Sequence, residues 1–253
     1  MTVPSRKART RLEREMELID IAREIIENEG LVGLTMDRVT ELCDYSKGTV
    51  YNHFSCKEDL LVAVSNEGLK DLQSLFNKLE NFKGNTREHM VGLQLAYLYF
   101  SKLYPSQFLC VLSVKNPAIL SRTSEMRKQQ QLSLEIALEQ HGMKIINKAI
   151  TNTELILAKG WEARQVSFAN WAQSFGALVL VNAAKSLIGL QGINIGTDFF
   201  ANAFILNDGF QWQPLSSEHN YLAAIDVLKE TIFFEEEALI RTLQNNNKIQ
   251  VVL

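Results

Sequence analysis

The chain predicts an all-α protein. Apolar residues recur at intervals of three and four along most of its 253 residues. Only 13 Gly and 4 Pro interrupt the pattern. No stretch alternates apolar with polar residues in the manner of a half-buried strand. Hydrophobic residues make up 46% of the chain, the share expected of an ordinary globular core. The length admits a small domain followed by a larger one. The motifs place the division so that residues 1–61 hold an amino-terminal arm and a three-helix unit, and residues 62–253 form a larger helical body.

The first helix is expected from about Thr10 to Glu29, with Leu12, Met16, Ile19, Ala22 and Ile26 on one face and a stop at Gly30. Ahead of and into it, Arg6, Lys7, Arg9, Arg11 and Arg14 are interrupted by a single acid, Glu13. Such an arm suits phosphates or a minor groove, and equally a solvated tail. Thr35 then caps a helix of about two turns whose apolar face is Met36, Val39, Leu42 and Cys43, a cap that stabilises by roughly 1 kcal/mol. Asp44 and Tyr45 break the pattern, and Asp tolerates the left-handed backbone of a helix stop. Ser46 caps the next helix, in which Val50 and Phe54, four apart, face inward. The opposite face centres on Gly48 and Asn52, flanked by Thr49 and Tyr51. A glycine there costs about 1 kcal/mol against alanine, so close approach of the backbone to a partner is the physical reason to keep it. A DNA major groove admits one such helix, while hydroxyls, phenols, lysines and free amides at helix starts take phosphates.

A fourth helix begins near Lys57 and continues to about Leu79, with Ser55 and Glu58 spaced as a capping box. Lys83-Gly84-Asn85 ends it, and Thr86 opens a helix carrying Leu93, Tyr97, Phe100 and Tyr104 before Pro105. A shorter segment spans residues 106–114, ahead of Pro117. A long helix follows from about Ser124 to Thr151, with Gly142 as a point for a bend. After a connector at 152–161, an apolar helix is expected over 162–188 with Val166, Trp171, Phe175, Leu178 and Val179. The last helix, 221–244, repeats Leu222, Ile225, Leu228, Ile232, Leu239 and Leu243. Between these two lies residues 191–220, containing Phe199, Phe200, Phe204, Phe210 and Trp212 beside Gly192, Gly196, Gly209 and Pro214. It is too long and aromatic for a passive linker, has room for a short helix, and covers either a partner subunit or a cavity. The apolar tail Ile249-Gln-Val-Val-Leu253 has no assigned role.

Composition narrows the function classes. The net charge is −3, and residues 1–62 hold nine Lys/Arg against twelve Asp/Glu. DNA binding by this segment therefore rests on how charge is distributed rather than on its sum. Cys43, Cys56 and Cys110 have no CxxC or zinc-finger spacing, which suits a reduced cytoplasmic location. Cys43 and Cys110 read as packing residues; Cys56, at a helix start, is the one with a route to a lowered pKa. His53, His89, His141 and His219 form no ligand spacing, and there is no HExxH, G-x-G-x-x-G or P-loop. No enzyme activity, metal or cofactor is expected. The apolar run from Phe175 to Val181 is too short for a membrane span.

The segment Ser46-Lys-Gly-Thr-Val-Tyr-Asn-His-Phe-Ser-Cys-Lys-Glu-Asp-Leu-Leu61 resembles the signature of the tetracycline-repressor (TetR) family of bacterial transcription regulators. The resemblance covers roughly residues 10–62 with its spacing intact. Asp44 and Tyr45 stand where the family usually has Gly-Val, and Cys56 where Ser, Asn or Asp caps the fourth helix. The resemblance implies a helix-turn-helix DNA-binding domain followed by a helical ligand-binding and dimerisation domain. Lys47, Gly48, Thr49, Tyr51, Asn52 and His53 match the recognition helix, with Tyr51 and Lys57 at phosphate-contact positions. Thr35, Arg38 and Ser46 are assigned to the same surface. The fourth helix would transmit the signal, and the helices at about 162–188 and 221–244 would pair with a second copy in a four-helix bundle. The implied partners are a palindromic double-stranded DNA operator, a second copy of the chain, and a small apolar or aromatic effector. Tyr97, Phe100, Tyr104, Phe108, Phe168, Trp171 and Phe175 are the expected effector residues, on aromatic stripes that equally suit plain core. The alternatives are a ligand-independent DNA-binding or architectural protein and, with least in the sequence to support it, a helical enzyme.

Overall fold

The computed structural model describes residues 6–183 and 192–245. Its regular structure is helical throughout: α1 (Arg6–Gly33), α2 (Met36–Leu42), α3 (Lys47–His53), α4 (Lys57–Lys78), α5 (Thr86–Leu103), α6 (Pro105–Ser113), α7 (Pro117–Ser121), α8 (Glu125–Thr151), α9 (Ala163–Ala183), α10 (Ile195–Gly209), α11 (Tyr221–Thr231) and α12 (Phe234–Asn245). The chain divides into two compact units, Met1–Lys70 with Tyr104–Leu134, and Asp71–Leu103 with Glu135–Leu253. The first unit thus takes in more than residues 1–61, because Cys110 and Val114 of the α6 segment are buried in the same core as α1 to α4. Among the described residues no helix is long and apolar enough to cross a membrane.

In the first unit, Leu18, Ile19, Ala22, Ile25 and Ile26 of α1 meet Met36 and Val39 of α2, Val50 and Phe54 around α3, and Leu60 to Val64 of α4. Leu12, expected on the buried face, is instead exposed. Regular helix begins at Arg6, so Arg9, Arg11 and Arg14 lie on α1 rather than on a separate arm. The side chains of Arg6 and Lys7 lie outside the described residues. Gly30 breaks α1 where the sequence predicts a stop, with φ 72° and ψ 180°. Nothing lies within 4 Å of the place a Cβ would occupy, so glycine is required there by backbone conformation and not by space.

In the second unit α5 is the central element, packed against α9, α11 and α12. Val91, Leu95, Ala96, Leu98, Tyr99 and Phe100 are all buried. The region 221–244 is two helices and not one. Phe233 leaves the helical track between them, its amide bonded back to Leu228 O at 2.9 Å, so that its ring buries against Tyr99 at 5.5 Å. Besides α5, α9 packs closely against α10, which lies inside the stretch read from sequence as the least regular. The end of the helix expected over 162–188, from residue 184, and the tail 249–253 lie outside the described residues.

The turn after α10 is organised by Arg87 of α5. Its fully buried guanidinium donates to Trp212 O at 2.8 Å, Pro214 O at 2.9 Å and Phe204 O at 2.9 Å. It also pairs with Asp208 at 2.7 Å and lies 4.7 Å over the Tyr221 ring. Trp212 and Pro214 lie beyond α10, so their carbonyls are outside any helical ladder and the guanidinium supplies the donors that burial demands. Replacing Arg87 with Met leaves those carbonyls and Asp208 without their cation, and is expected to cost about 3–5 kcal/mol in urea unfolding of the full chain.

Lys102, also on α5, has its Nζ buried without a hydrogen-bond partner among the described residues. Burial, aided by Lys229 and opposed by Glu237, lowers its pKa from 10.5 to about 8. The folded state therefore binds this proton less tightly than the unfolded state. The resulting destabilisation is complete below pH 8 and is relieved as pH rises toward 10.5. Lys102→Met is expected to melt higher than the wild type at pH 7, with the difference shrinking between pH 8 and 10 in paired thermal melts.

Candidate nucleic-acid interface

The helix-turn-helix is built from two side-chain caps. Thr35 accepts from the Arg38 amide at 3.1 Å and starts α2. Ser46 accepts from the Thr49 amide at 3.2 Å and starts α3, its hydroxyl lying 2.9 Å from that of Thr49. The turn between them differs from the sequence expectation. Asp44 does not take a left-handed conformation, since Thr153 and Gln211 are the non-glycine residues at positive φ among those described. The chain leaves α2 through an extended Cys43. Tyr45 holds the turn to α1 by donating its hydroxyl to Glu17, with the Arg14 guanidinium 5.7 Å over its ring.

Burial of Val50 and Phe54 turns the other face of α3 outward, as expected. Gly48, Tyr51 and Asn52 are exposed and Thr49 is half-buried. At Gly48 a Cβ would meet only the Ser46 hydroxyl, at 3.9 Å. The fold itself therefore has room for alanine at this position.

Two of the cations assigned to this surface carry acidic partners. Lys47 donates to Asp37 at 2.6 Å and lies 5.8 Å over the Tyr51 ring. The Asp37 hydrogen bond raises the Lys47 pKa. Arg38 reaches Glu29 at 2.9 Å and Glu41 at 3.3 Å, which likewise hold its pKa up, Glu29 first. All these groups sit in solvent, where such pairs stabilise little and are readily exchanged for other anions.

His53 and Lys57 are placed otherwise than the sequence suggests. The His53 side chain is only 6% exposed, with Nδ1 3.5 Å from Glu15, so its ring faces the interior of the unit. Lys57 donates to Leu31 O at 2.8 Å, supplying a cation to the carboxyl end of α1, where the helix dipole and free carbonyls favour one. Glu58, read as the partner of Ser55 in a capping box, pairs with Arg122 at 2.7 Å, while the Cys56 thiol lies 3.3 Å from Arg122 O.

The seven aromatic residues assigned to an effector do not belong to one unit. Tyr104 and Phe108 fall in the first. In the second, Phe100, Tyr97, Phe175, Trp171 and Phe168 form a column, with successive ring separations of 6.3, 6.4, 5.5 and 6.0 Å. The column begins in the core and ends at the surface, with Trp171 46% and Phe168 64% exposed. Those last two are therefore not interior lining. Phe168 instead edges an open groove of about 570 Å³ with Trp161, Arg164, Gln165, Ala169 and Glu139. Trp161 packs edge-on to Phe210 at 5.7 Å. Of this set the sequence singles out Phe168 alone; Trp161 ends the connector at 152–161, and Arg164 and Glu139 belong to no motif that would mark them.

Residues 18–64, which contain both caps and the whole of α2 and α3, match the model for bacterial regulatory proteins of the tetR family. Residues 18–64 therefore carry a helix-turn-helix DNA-binding domain of the TetR family. No curated protein matches it. Among solved structures, the chain is similar in fold to a protein of unknown function from Rhodococcus sp. RHA1, at 17% identity and a TM-score of 0.63 over 78% of this chain and 95% of that one. It is similar to the ketosteroid transcriptional regulator KstR2 of Mycobacterium tuberculosis, at 15% identity and a TM-score of 0.54 over 78% and 94%. A third likeness is to a transcriptional regulator from Saccharomonospora viridis, described as putative and in complex with choline. There the identity is 17% and the TM-score 0.58 over 77% and 96%.

Proposed function

We propose that the protein is a dimeric repressor that reads a palindromic operator with α3 and is released when a small apolar or aromatic ligand binds its second unit. The observation that carries the DNA reading is the outward strip of α3, where Gly48, Tyr51 and Asn52 are exposed over a buried Val50 and Phe54. Thr49, Ser46 and Lys47 flank the strip and would meet bases or phosphates, as would Arg38 on α2 and its cap Thr35. Such a protein works beside DNA in the cytoplasm.

A second copy supplies the other half of a palindrome, its recognition helix about one DNA turn away. The exposed Phe168, Trp171 and Leu180 of α9, with Leu222 and Val227 of α11 and Phe234 and Leu239 of α12, support α9 with 221–244 as the dimer face; Ile205 of α10 is exposed as well. The inner part of the aromatic column, Tyr97, Phe100 and Phe175, is the part suited to a ligand. The ligand of the Saccharomonospora relative and the ketosteroid in the name of the mycobacterial one differ in chemistry, so neither identifies the effector. To release the operator, the ligand must distinguish the two conformations by about 5.5 kcal/mol, and DNA must favour the other one by linkage.

Selection from a library of random duplexes, followed by affinity against salt, tests this reading. An enriched palindrome with a steep salt slope is expected; absence of any enriched sequence would sink it. Gly48→Ala is expected to leave the fold intact, or to stabilise it by up to about 1 kcal/mol, while weakening binding to the selected duplex. Asp37→Asn frees Lys47 for phosphate, and should tighten binding to all sequences and steepen the slope of log affinity against log salt by about one.

A further inference from the structure

The recognition helix is only seven residues long, too short to hold itself by its own hydrogen bonds. Its carboxyl end is met by a residue from far along the chain. Arg127, in the first turn of α8, places its guanidinium 4.5 Å over the buried Phe54 ring and 3.4 Å from His53 O. Two carboxylates hold it there, Glu15 of α1 at 3.1 Å and Asp59 of α4 at 3.4 Å. Asp59 also accepts from the Ser124 amide at 3.0 Å and its hydroxyl at 2.7 Å. Asn66 of α4 donates to Arg127 O at 3.2 Å. The Arg127 side chain is 4% exposed, so it is out of reach of any phosphate.

A cation in the first turn opposes the helix dipole, and α8 gains nothing from it locally. A flat guanidinium, however, can stack on a ring, reach a carbonyl and pair with two acids at once, which an ammonium cannot. Four helices, α1, α3, α4 and α8, therefore share one side chain at the end of the DNA-reading element.

We propose that Arg127 is a positioning residue for DNA recognition, fixing the carboxyl end of α3 from α8. A shift of the first turn of α8 would change the aim of the recognition helix while leaving its outward residues untouched. This rests on the DNA-binding reading, and the first readout below does not depend on DNA.

The test compares the full-length wild type with Arg127→Lys and Glu15→Gln by hydrogen exchange and by binding to the duplex selected with the wild type. Amides of residues 47–54 are expected to lose protection while α1 and α4 keep theirs. Binding is expected to fall by about ten- to a hundredfold in Arg127→Lys, the range for a lost charge-assisted bond, and by less in Glu15→Gln. The salt slope should stay at the wild-type value, since no phosphate contact is removed. Unchanged protection over 47–54 in both variants overturns the proposal, as does a slope reduced by about one, which would make Arg127 a direct phosphate contact. If Arg127→Lys unfolds globally, the Glu15→Gln result decides. Failure of the wild type to select any duplex overturns the DNA reading itself, and with it the functional role given to Arg127.

Discussion

A seven-residue helix contributes few internal hydrogen bonds, so α3 exists because Val50 and Phe54 are buried among Leu18, Ile25, Val39 and Leu60 to Val64. That burial sets everything the interface can do. With two side chains four residues apart fixed inward, the helical repeat leaves Gly48, Tyr51 and Asn52 facing out. The caps at Thr35 and Ser46 fix where α2 and α3 begin, and so fix which residues those are. The outward face is thus a consequence of the inward one.

The charge of this surface is finely balanced. The amino-terminal segment is slightly acidic, and the carboxylates Asp37, Glu29 and Glu41 already occupy Lys47 and Arg38. A phosphate backbone would have to exchange with these pairs rather than find bare cations. Because the pairs are exposed, the exchange is inexpensive. Affinity gained this way would be modest, and discrimination among sequences would then fall to the shape and hydrogen bonding of the α3 strip.

Much of this was legible in the sequence wherever the determinant is local. The caps, the inward pair of α3 and the stop at Gly30 each depend on residues within one turn of each other. The errors share the opposite cause. His53 turns toward Glu15, 38 residues away, and Lys57 toward Leu31, 26 residues away. Arg127 finds Glu15 across 112 residues. Periodicity carries no record of such partners. It also misread 221–244, where the apolar repeat runs unbroken through Ile232 although the chain bends to bury Phe233 against α5. In the stretch after residue 191 the sequence has room for a short helix, but Gly192, Gly196 and Gly209 obscure that α10 runs for 15 residues, and the buried Arg87 that orders the following turn lies more than a hundred residues upstream.

Contact between DNA and the strip Gly48, Tyr51 and Asn52 is read by amide hydrogen exchange of the full chain with and without its selected duplex. New protection is expected over residues 46–52, with the groove at Trp161 and Phe168 unaffected by direct contact. Strong protection elsewhere, with none over residues 46–52, would contradict contact at the strip.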